Sequence, residues 1–393
     1  MLQRLIHSAR VNVFESAQFY YWLLITLTFH LVARHSFIKI LHVNGEAEWL
    51  SSKFITALLY GTTYGCCIIS AVFLRRRISK LYLNTWLIIS CISVFNEFNF
   101  YLSNSYTYDL ISSISSGQGF MNIRITFPIL FLGIWREIMP LDFSKNILKL
   151  LLNIVLVNAV CVCAGALLNL GLFDSYPNSG RWGYSGFLAR GYSVILSGVF
   201  LIHLLSSKRG SKIQVLLLIL ALIGSGTKAG LLYLGLTVFI VVIRSRKIRI
   251  LILGCLGLLL ATILKWLPWI VSLSDFWGQV FEEYGVFGTI SSLRNENLIR
   301  LKRLLQNDYE ILSMLMGGAV RSEKLWVEIL PVDLFLFFGA IGLICWIVFF
   351  ISWIPNWKAS IPLLVAVLSG TLLAAPMAVI IWGLWLNNSD KLE

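Results

Sequence analysis

Charge is what this chain has little of. Asp, Glu, Lys and Arg make up 13% of its 393 residues, while hydrophobic types make up 58%. A soluble globular protein holds about 25% charged and about 45–50% apolar residues, so an ordinary water-soluble domain is excluded. Histidine is also rare. All five (His7, His30, His35, His42, His203) lie outside the longest polar stretch, 272–331, which excludes histidine-based catalysis there. The seven cysteines, Cys66, Cys67, Cys91, Cys161, Cys163, Cys255 and Cys345, all fall inside apolar runs. No loop carries pairing or ligand spacing, so neither a disulfide framework nor a zinc site is supported. A phosphate-cradling GxxxxGK[ST] loop, an HExxH helix and a GxSxG elbow are missing too. No metal and no cofactor is expected.

What is present is grease, with a mean hydropathy of +0.81. Apolar runs of roughly 18 residues or more recur, the length that crosses a bilayer as a helix. Spans are predicted near 17–33, 53–74, 81–103, 119–136, 147–168, 187–206, 213–225, 228–243, 250–271, 332–354 and 360–386. The expectation is an all-α polytopic membrane protein, one integral-membrane domain over 1–393 with about 11–12 crossings. The net charge of +13 does not form one patch, so nucleic acid is not an expected partner. It falls in short clusters between spans: Arg75, Arg76, Arg77 and Lys80; Lys208, Arg209 and Lys212; Arg244, Arg246, Lys247 and Arg249. Arg136, Lys145, Lys149 and Lys358 complete the set. With the N-terminus in the cytoplasm, every cluster falls inside, as the positive-inside rule asks. Loops 104–118, 169–186 and 272–331 then face outward. Arg4 and Arg10 precede the first span without a small-residue cleavage site, so an uncleaved anchor is expected.

Two places depart from simple crossings. Segments 213–226 and 229–243 are short and meet at Gly224-Ser225-Gly226-Thr227-Lys228-Ala229-Gly230. Two short helices meeting outside, or a partly re-entrant hairpin, both fit that pattern. Span 361–386 is overlong and interrupted by Gly370 and Pro376, which fits one kinked helix or a hairpin.

The chemistry-bearing residues gather on the outward side. Arg181 sits among glycines and aromatics ahead of the sixth span, and Arg190 lies about a turn inside it. An arginine at that depth lines a protein interior or wet cavity, or snorkels to the interface. At Lys228, successive backbone N–H groups and a helix start make an anion site to which the lysine adds a full charge. The plainer alternative is an N-cap by Thr227 and a lysine reaching for headgroups. In the loop 272–331, Ser292 can cap an amphipathic helix over 293–316, with a stripe of Leu298, Leu301, Leu305, Leu312 and Leu315. Arg294 lies at its start, and Arg300 and Arg303 share a face. Guanidinium forks match phosphate oxygens; the plain alternative is a helix lying on anionic headgroups. Glu328 is a candidate general base. Asp333, at the mouth of the tenth span, is either a second carboxylate for that role or an N-terminal cap favoured by the helix dipole. Glu97, beside Asn96 and Asn99 in the third span, is a further intramembrane carboxylate.

Taken in order, these pieces resemble the O-antigen polymerase and O-antigen ligase superfamily of bacterial membrane glycosyltransferases, over roughly residues 180–345. Ser225-Gly226-Thr227-Lys228-Ala229-Gly230-Leu231-Leu232 is similar to the family's Ser-Gly-Ser-Arg-Ala-x-Leu-Leu, with Lys228 where arginine is usual. The arginine-bearing loop before span six is a second point of likeness. The third is the long loop running through Gly317-Gly318, Glu328 and Asp333 to Phe338-Gly339-Ala340-Ile341-Gly342. The resemblance implies a polysaccharide repeat-unit polymerase for O-antigen, capsule or exopolysaccharide, in the cytoplasmic (inner) membrane. It implies undecaprenyl-pyrophosphate-linked oligosaccharide as substrate, the bilayer as surroundings, and a chain-length regulator protein as a further partner. By that resemblance Arg181 and Arg294 sit on the two arginine-bearing outer loops used for substrate handling. On the reading of the residues themselves Glu328, Arg294 and Asp333 would be catalytic, and Arg181, Arg190, Lys228, Arg300 and Arg303 would hold pyrophosphate or sugar. A ligase of the family relies on a histidine in the long loop, and none is present. A flippase would spread charge along its spans and keep its loops short.

Overall fold

The computed structural model describes residues 78–103, 141–176, 182–188, 190–207, 210–244, 275–291, 296–299, 301–303, 311–318, 327, 329–353 and 361–369, the single position 265, and scattered positions in 64–72 and 126–133; for some of these it describes the backbone alone. The regular elements among them are helices: α1 (Lys80–Ser103), α2 (Leu141–Leu168), α3 (Arg190–Ser207), α4 (Lys212–Gly224), α5 (Lys228–Arg244), α6 (Asp275–Ser291), α7 (Ile311–Met316), α8 (Leu330–Trp353) and α9 (Ile361–Ser369). A 3-10 turn covers Gly171–Phe173, and one isolated antiparallel bridge joins Asp174 to Tyr184.

Two helices, over Lys145–Leu168 and Leu330–Ser352, are long and apolar enough to cross a membrane. They coincide with predicted spans 147–168 and 332–354. In α2, Ile147, Leu148, Leu151, Val155, Ala159 and Val162 are buried at helical spacing, while Leu150, Val157 and Val160 on the other face are apolar and exposed. A helix apolar all round belongs in lipid or in the core of a large protein. The predicted span 17–33 lies outside the described residues, and 53–74, 119–136, 250–271 and 360–386 do so in large part.

α4 lies against both α2 and α3; α5 packs on α3, α4 and α9; α8 packs on α1, α7 and α9. Between apolar helices in lipid there is no net hydrophobic drive, so close approach and dispersion hold them. Close approach is visible at α3 and α5, where the ring of Tyr233 lies on Gly198 so tightly that a Cβ there would be 2.4 Å from it. At the α1–α8 seam, Tyr82 meets Phe349 edge-on at 5.4 Å, and Phe349 meets Trp346 at 5.6 Å.

Local chemistry sets the ends. Ser211 and Gln214 form a reciprocal capping box at the start of α4, with Gln214 N–H donating to Ser211 Oγ (3.2 Å) and Ser211 N–H to Gln214 Oε1 (3.0 Å). α4 has 13 residues, roughly 20 Å, too short to cross about 30 Å of hydrocarbon.

In the long loop, the described residues of the expected helix 293–316 are helical, at 296–299, at 301–303 and in α7, which ends at Gly317; residues 293–295, 300 and 304–310 lie outside the described set. Its leucine stripe is not one buried face: Leu301 packs with Val327 and Leu336, while Leu298, Leu312 and Leu315 are exposed. The helix that sequence did not suggest is α6, because Gly278, Gly285 and Gly288 lower its propensity. α6 and α8 are each broken at a glycine of nearly the same conformation, Gly285 (φ 65°, ψ −167°) and Gly339 (φ 65°, ψ −168°).

Candidate functional site

The segment leading into α3 folds down onto the α4–α5 turn. Tyr184 N–H donates to Gly224 O at 2.9 Å, Ser175 N–H to Gly183 O at 2.8 Å, and Ser185 N–H to Phe173 O at 2.9 Å. The Tyr184 hydroxyl reaches Asn169 Oδ1 at 2.7 Å. No side chain separates the two backbones. A Cβ on Gly226 (φ 60°) would sit 2.2 Å from Trp182 O, and one on Gly183 would sit 2.4 Å from Ser225 O. Glycine at both positions is therefore a requirement of the contact. Trp182 stands edge-on to Tyr184 at 6.0 Å and keeps 53% of its surface exposed, a flat apolar face at the rim.

From below, Asn158 of α2 holds the end of the same segment. It is 0% exposed; its Oδ1 accepts from Leu188 N–H (3.0 Å) and its Nδ2 donates to Ser193 Oγ (2.9 Å). Both ends of its amide are thereby satisfied, which a buried amide requires.

In the turn itself, Ser225 Oγ donates to Leu222 O (2.7 Å) and lies 3.0 Å from Thr227 Oγ1. Thr227 caps α5 by accepting from Gly230 N–H at 3.1 Å. Lys228 is thus the first residue of α5, where the helix dipole disfavours a cation by about 0.3–1 kcal/mol. Its ammonium donates to the carbonyl oxygen of Thr289, in the last turn of α6. There the dipole has the opposite sign and the carbonyls lack helical partners. The Thr289 hydroxyl in turn bonds Gly285 O at 2.9 Å, beside the break in α6. One lysine therefore ties the turn to the long loop, and a positive helix start and an ammonium stand together.

The second cluster lies where the long loop enters α8. Asp333 is 4% exposed, and its Oδ1 accepts from Val327 N–H at 3.0 Å, six residues upstream. That geometry clasps the end of the loop to the first turn of α8. Arg303 is exposed on the helical turn that places Leu301 against Val327 and Leu336.

Of the residues singled out by sequence, Lys228 follows the Gly224–Gly226 turn that meets the segment after Arg181, and its ammonium goes to Thr289. Asp333 lies in the other cluster, around Val327, while Arg303 is exposed on the turn that carries Leu301. Arg181, Arg294, Arg300 and Glu328 lie outside the described residues. Arg190 opens α3 and Glu97 lies within α1, but their side chains are outside the described set. Among the described residues no three of His, Cys, Asp and Glu group as metal ligands. Sequence reasoning did not single out Asn158, Gly183, Trp182 or Thr289 for roles here. A lone Asn in an apolar run is a signal, since it must find partners, yet Asn153 five residues earlier is exposed. Comparison with protein-family models, with curated proteins and with solved structures finds no match.

Proposed function

We propose that this chain is a polytopic membrane glycosyltransferase that polymerises lipid-linked oligosaccharide repeat units at the outer face of the cytoplasmic membrane. One observation carries the reading. The segment following Arg181, the Ser225–Lys228 turn and the end of α6, three pieces far apart in sequence, close on one another through Gly183, Gly226 and Lys228. An ammonium at a capped helix start suits a pyrophosphate, and Trp182, whose backbone meets Gly226 and whose ring is half exposed, suits a sugar ring.

In the reaction, a hydroxyl of the incoming unit attacks C1 of the sugar at the pyrophosphate end of the growing chain. The new C–O bond forms as the bond from C1 to the pyrophosphate oxygen breaks, and the lipid pyrophosphate leaves with the electron pair. Glu328 takes the hydroxyl proton. Lys228, with Arg181, Arg190, Arg294, Arg300 and Arg303, neutralises the charge that develops on the leaving group. Asp333 serves in this reading as the clasp of the loop, since one of its oxygens holds Val327 N–H.

The test is deletion in the native strain, with surface polysaccharide separated on a denaturing gel. Lipid core bearing a single unit, or loss of long capsule or exopolysaccharide chains, supports the polymerase. Bare core with polymer accumulating on the carrier lipid means a ligase, and units trapped on the cytoplasmic side mean a flippase; either result overturns the reading.

A further inference from the structure

The chain between α6 and α8 makes an unusual contact with the break in α8. α7 closes with Gly317 N–H donating to Ser313 O at 2.8 Å, and Gly318 N–H donates to Leu336 O at 2.9 Å. A Cβ on Gly317 would lie 2.5 Å from the backbone of Phe337, and one on Gly339 would lie 2.2 Å from Leu315 O. Backbone meets backbone here, so the end of α7 is keyed into the break. The carbonyls at this junction are served by a side chain of a third helix. Asn96 of α1, 6% exposed, donates through Nδ2 to Met316 O (2.8 Å) and to Phe337 O (3.1 Å).

The depth of this junction follows from the two helices that frame it. Tyr82 near the start of α1 meets Phe349 near the end of α8, so Lys80 and Trp353 mark the same end of the pair. Asn96 is sixteen residues from Lys80, and Phe337 is sixteen residues from Trp353. At 1.5 Å per residue Asn96 lies roughly 24 Å from that end, and Gly339, where α8 breaks fourteen residues before Trp353, roughly 21 Å; both depths fall inside a hydrocarbon core of about 30 Å. A carbonyl at such depth has no water to accept from and must find a protein donor, which is what Asn96 supplies.

α7 also shows the wrong surface for a loop in water. Ile311, Leu312, Met314 and Leu315 are 76%, 48%, 47% and 45% exposed, four of its six residues. They adjoin α8, whose Ile341, Ile344, Ile347, Val348 and Ile351 are exposed along the spanning segment. We infer that 311–318 is a re-entrant segment of the long loop, and that acyl chains of the bilayer cover the exposed face of α7, continuous with the lipid-facing side of α8. This rests on the membrane placement of α1 and α8 proposed above. It replaces, for this part of the loop, the expected helix lying on headgroups.

The experiment introduces a genetically encoded fluorescent amino acid, one site at a time, into the full chain. The sites are Met314, Ile311 as a second probe of α7, Ile347 on α8 and the exposed Glu282 on α6. Each variant is reconstituted in phosphatidylcholine vesicles with or without acyl-chain bromine, and iodide is added as the aqueous quencher. Loss of fluorescence to brominated lipid at positions 314 and 311, comparable to that at 347, with iodide acting only at 282, is the expected result. If 347 responds to lipid while 314 and 311 respond to iodide as 282 does, the segment is in water and the inference fails. Quenching of 314 and 311 by neither agent would show that protein covers α7, which overturns it as well. If 347 itself responds to iodide, the membrane placement of α8 is wrong and the inference falls with it.

Discussion

Replacing Gly226 by alanine probes the contact on which the functional reading stands. Two costs arise from the geometry. Gly226 has φ 60°, a left-handed conformation that costs an L-residue about 1–2 kcal/mol. The new Cβ would lie 2.2 Å from Trp182 O and 2.9 Å from Gly183 Cα, where carbon and carbonyl oxygen ordinarily keep about 3.3 Å or more. The two backbones must part by roughly 1 Å on that comparison. The Tyr184 N–H to Gly224 O bond, now 2.9 Å, cannot survive that movement, and its loss costs about 1 kcal/mol. The docked state of 182–188 therefore loses about 3 kcal/mol, or about a hundredfold in its equilibrium with the undocked state. Hydrogen exchange by mass spectrometry on the protein in nanodiscs reads this directly. Peptides covering 182–188 should exchange about a hundredfold faster, while those of 147–162 in α2 keep their protection. Gly235 is the control, because a Cβ there meets nothing within 4 Å. Gly235→Ala should leave exchange at 182–188 unchanged and firm up α5 by about 0.5–1 kcal/mol. Equal exchange at 182–188 in the two variants would refute the reasoning.

Other substitutions separate roles that the geometry distinguishes. Lys228→Met should slow chain extension by about 10²–10³-fold, the usual effect of removing one charge-stabilising donor, with Lys228→Arg closer to the parent; initial polymerisation rates on lipid-linked substrate measure it. Trp182→Ala should raise KM about five- to tenfold with kcat little changed, the equivalent of an aromatic contact of about 1 kcal/mol. Asn96→Leu strands the carbonyls of Met316 and Phe337 and should destabilise by about 2–4 kcal/mol, seen as a lower melting temperature in detergent. Asp333→Asn keeps an acceptor for Val327 N–H and should retain most activity, whereas Asp333→Ala should cost about 1–3 kcal/mol of stability. An inactive but fully folded Asn variant would make Asp333 a base.

Much of the frame was legible because apolar runs end at charges or glycines. α2, α3, α4, α5 and α8 lie within a few residues of the spans predicted for them. The Ser225–Lys228 turn could be seen as a joint for the same reason: two runs too short to cross meet there. What could not be read is what depends on the neighbour. Gly339 and Gly342 look alike in sequence, yet only Gly339 leaves the helix, because only Gly339 faces the backbone of Leu315. Asn153 and Asn158 are equivalent in composition; the face that meets α3 decides which is buried. The clasp at Asp333 escaped because its partner is a backbone N–H upstream, which no residue pattern records. α6 escaped because its three glycines argue against a helix.

Asn158, Asn96 and Lys228 share a task that composition alone does not reveal. Each sends its polar group to the backbone of a segment that leaves the bundle: Leu188 N–H, the carbonyls of Met316 and Phe337, and the carbonyl of Thr289. In water such segments would solvate their own backbone and need no anchor. The anchors also lie beside the places where backbone packs on backbone through glycine, at 183 and 226 and at 317 and 339. A surface held that tightly is preorganised, so charge placed on it does not have to reorganise when charge develops in a substrate. That is the physical reason to look for the chemistry on the segments that leave the bundle rather than among its helices. It also explains why small residues there should tolerate less change than the larger apolar residues facing lipid.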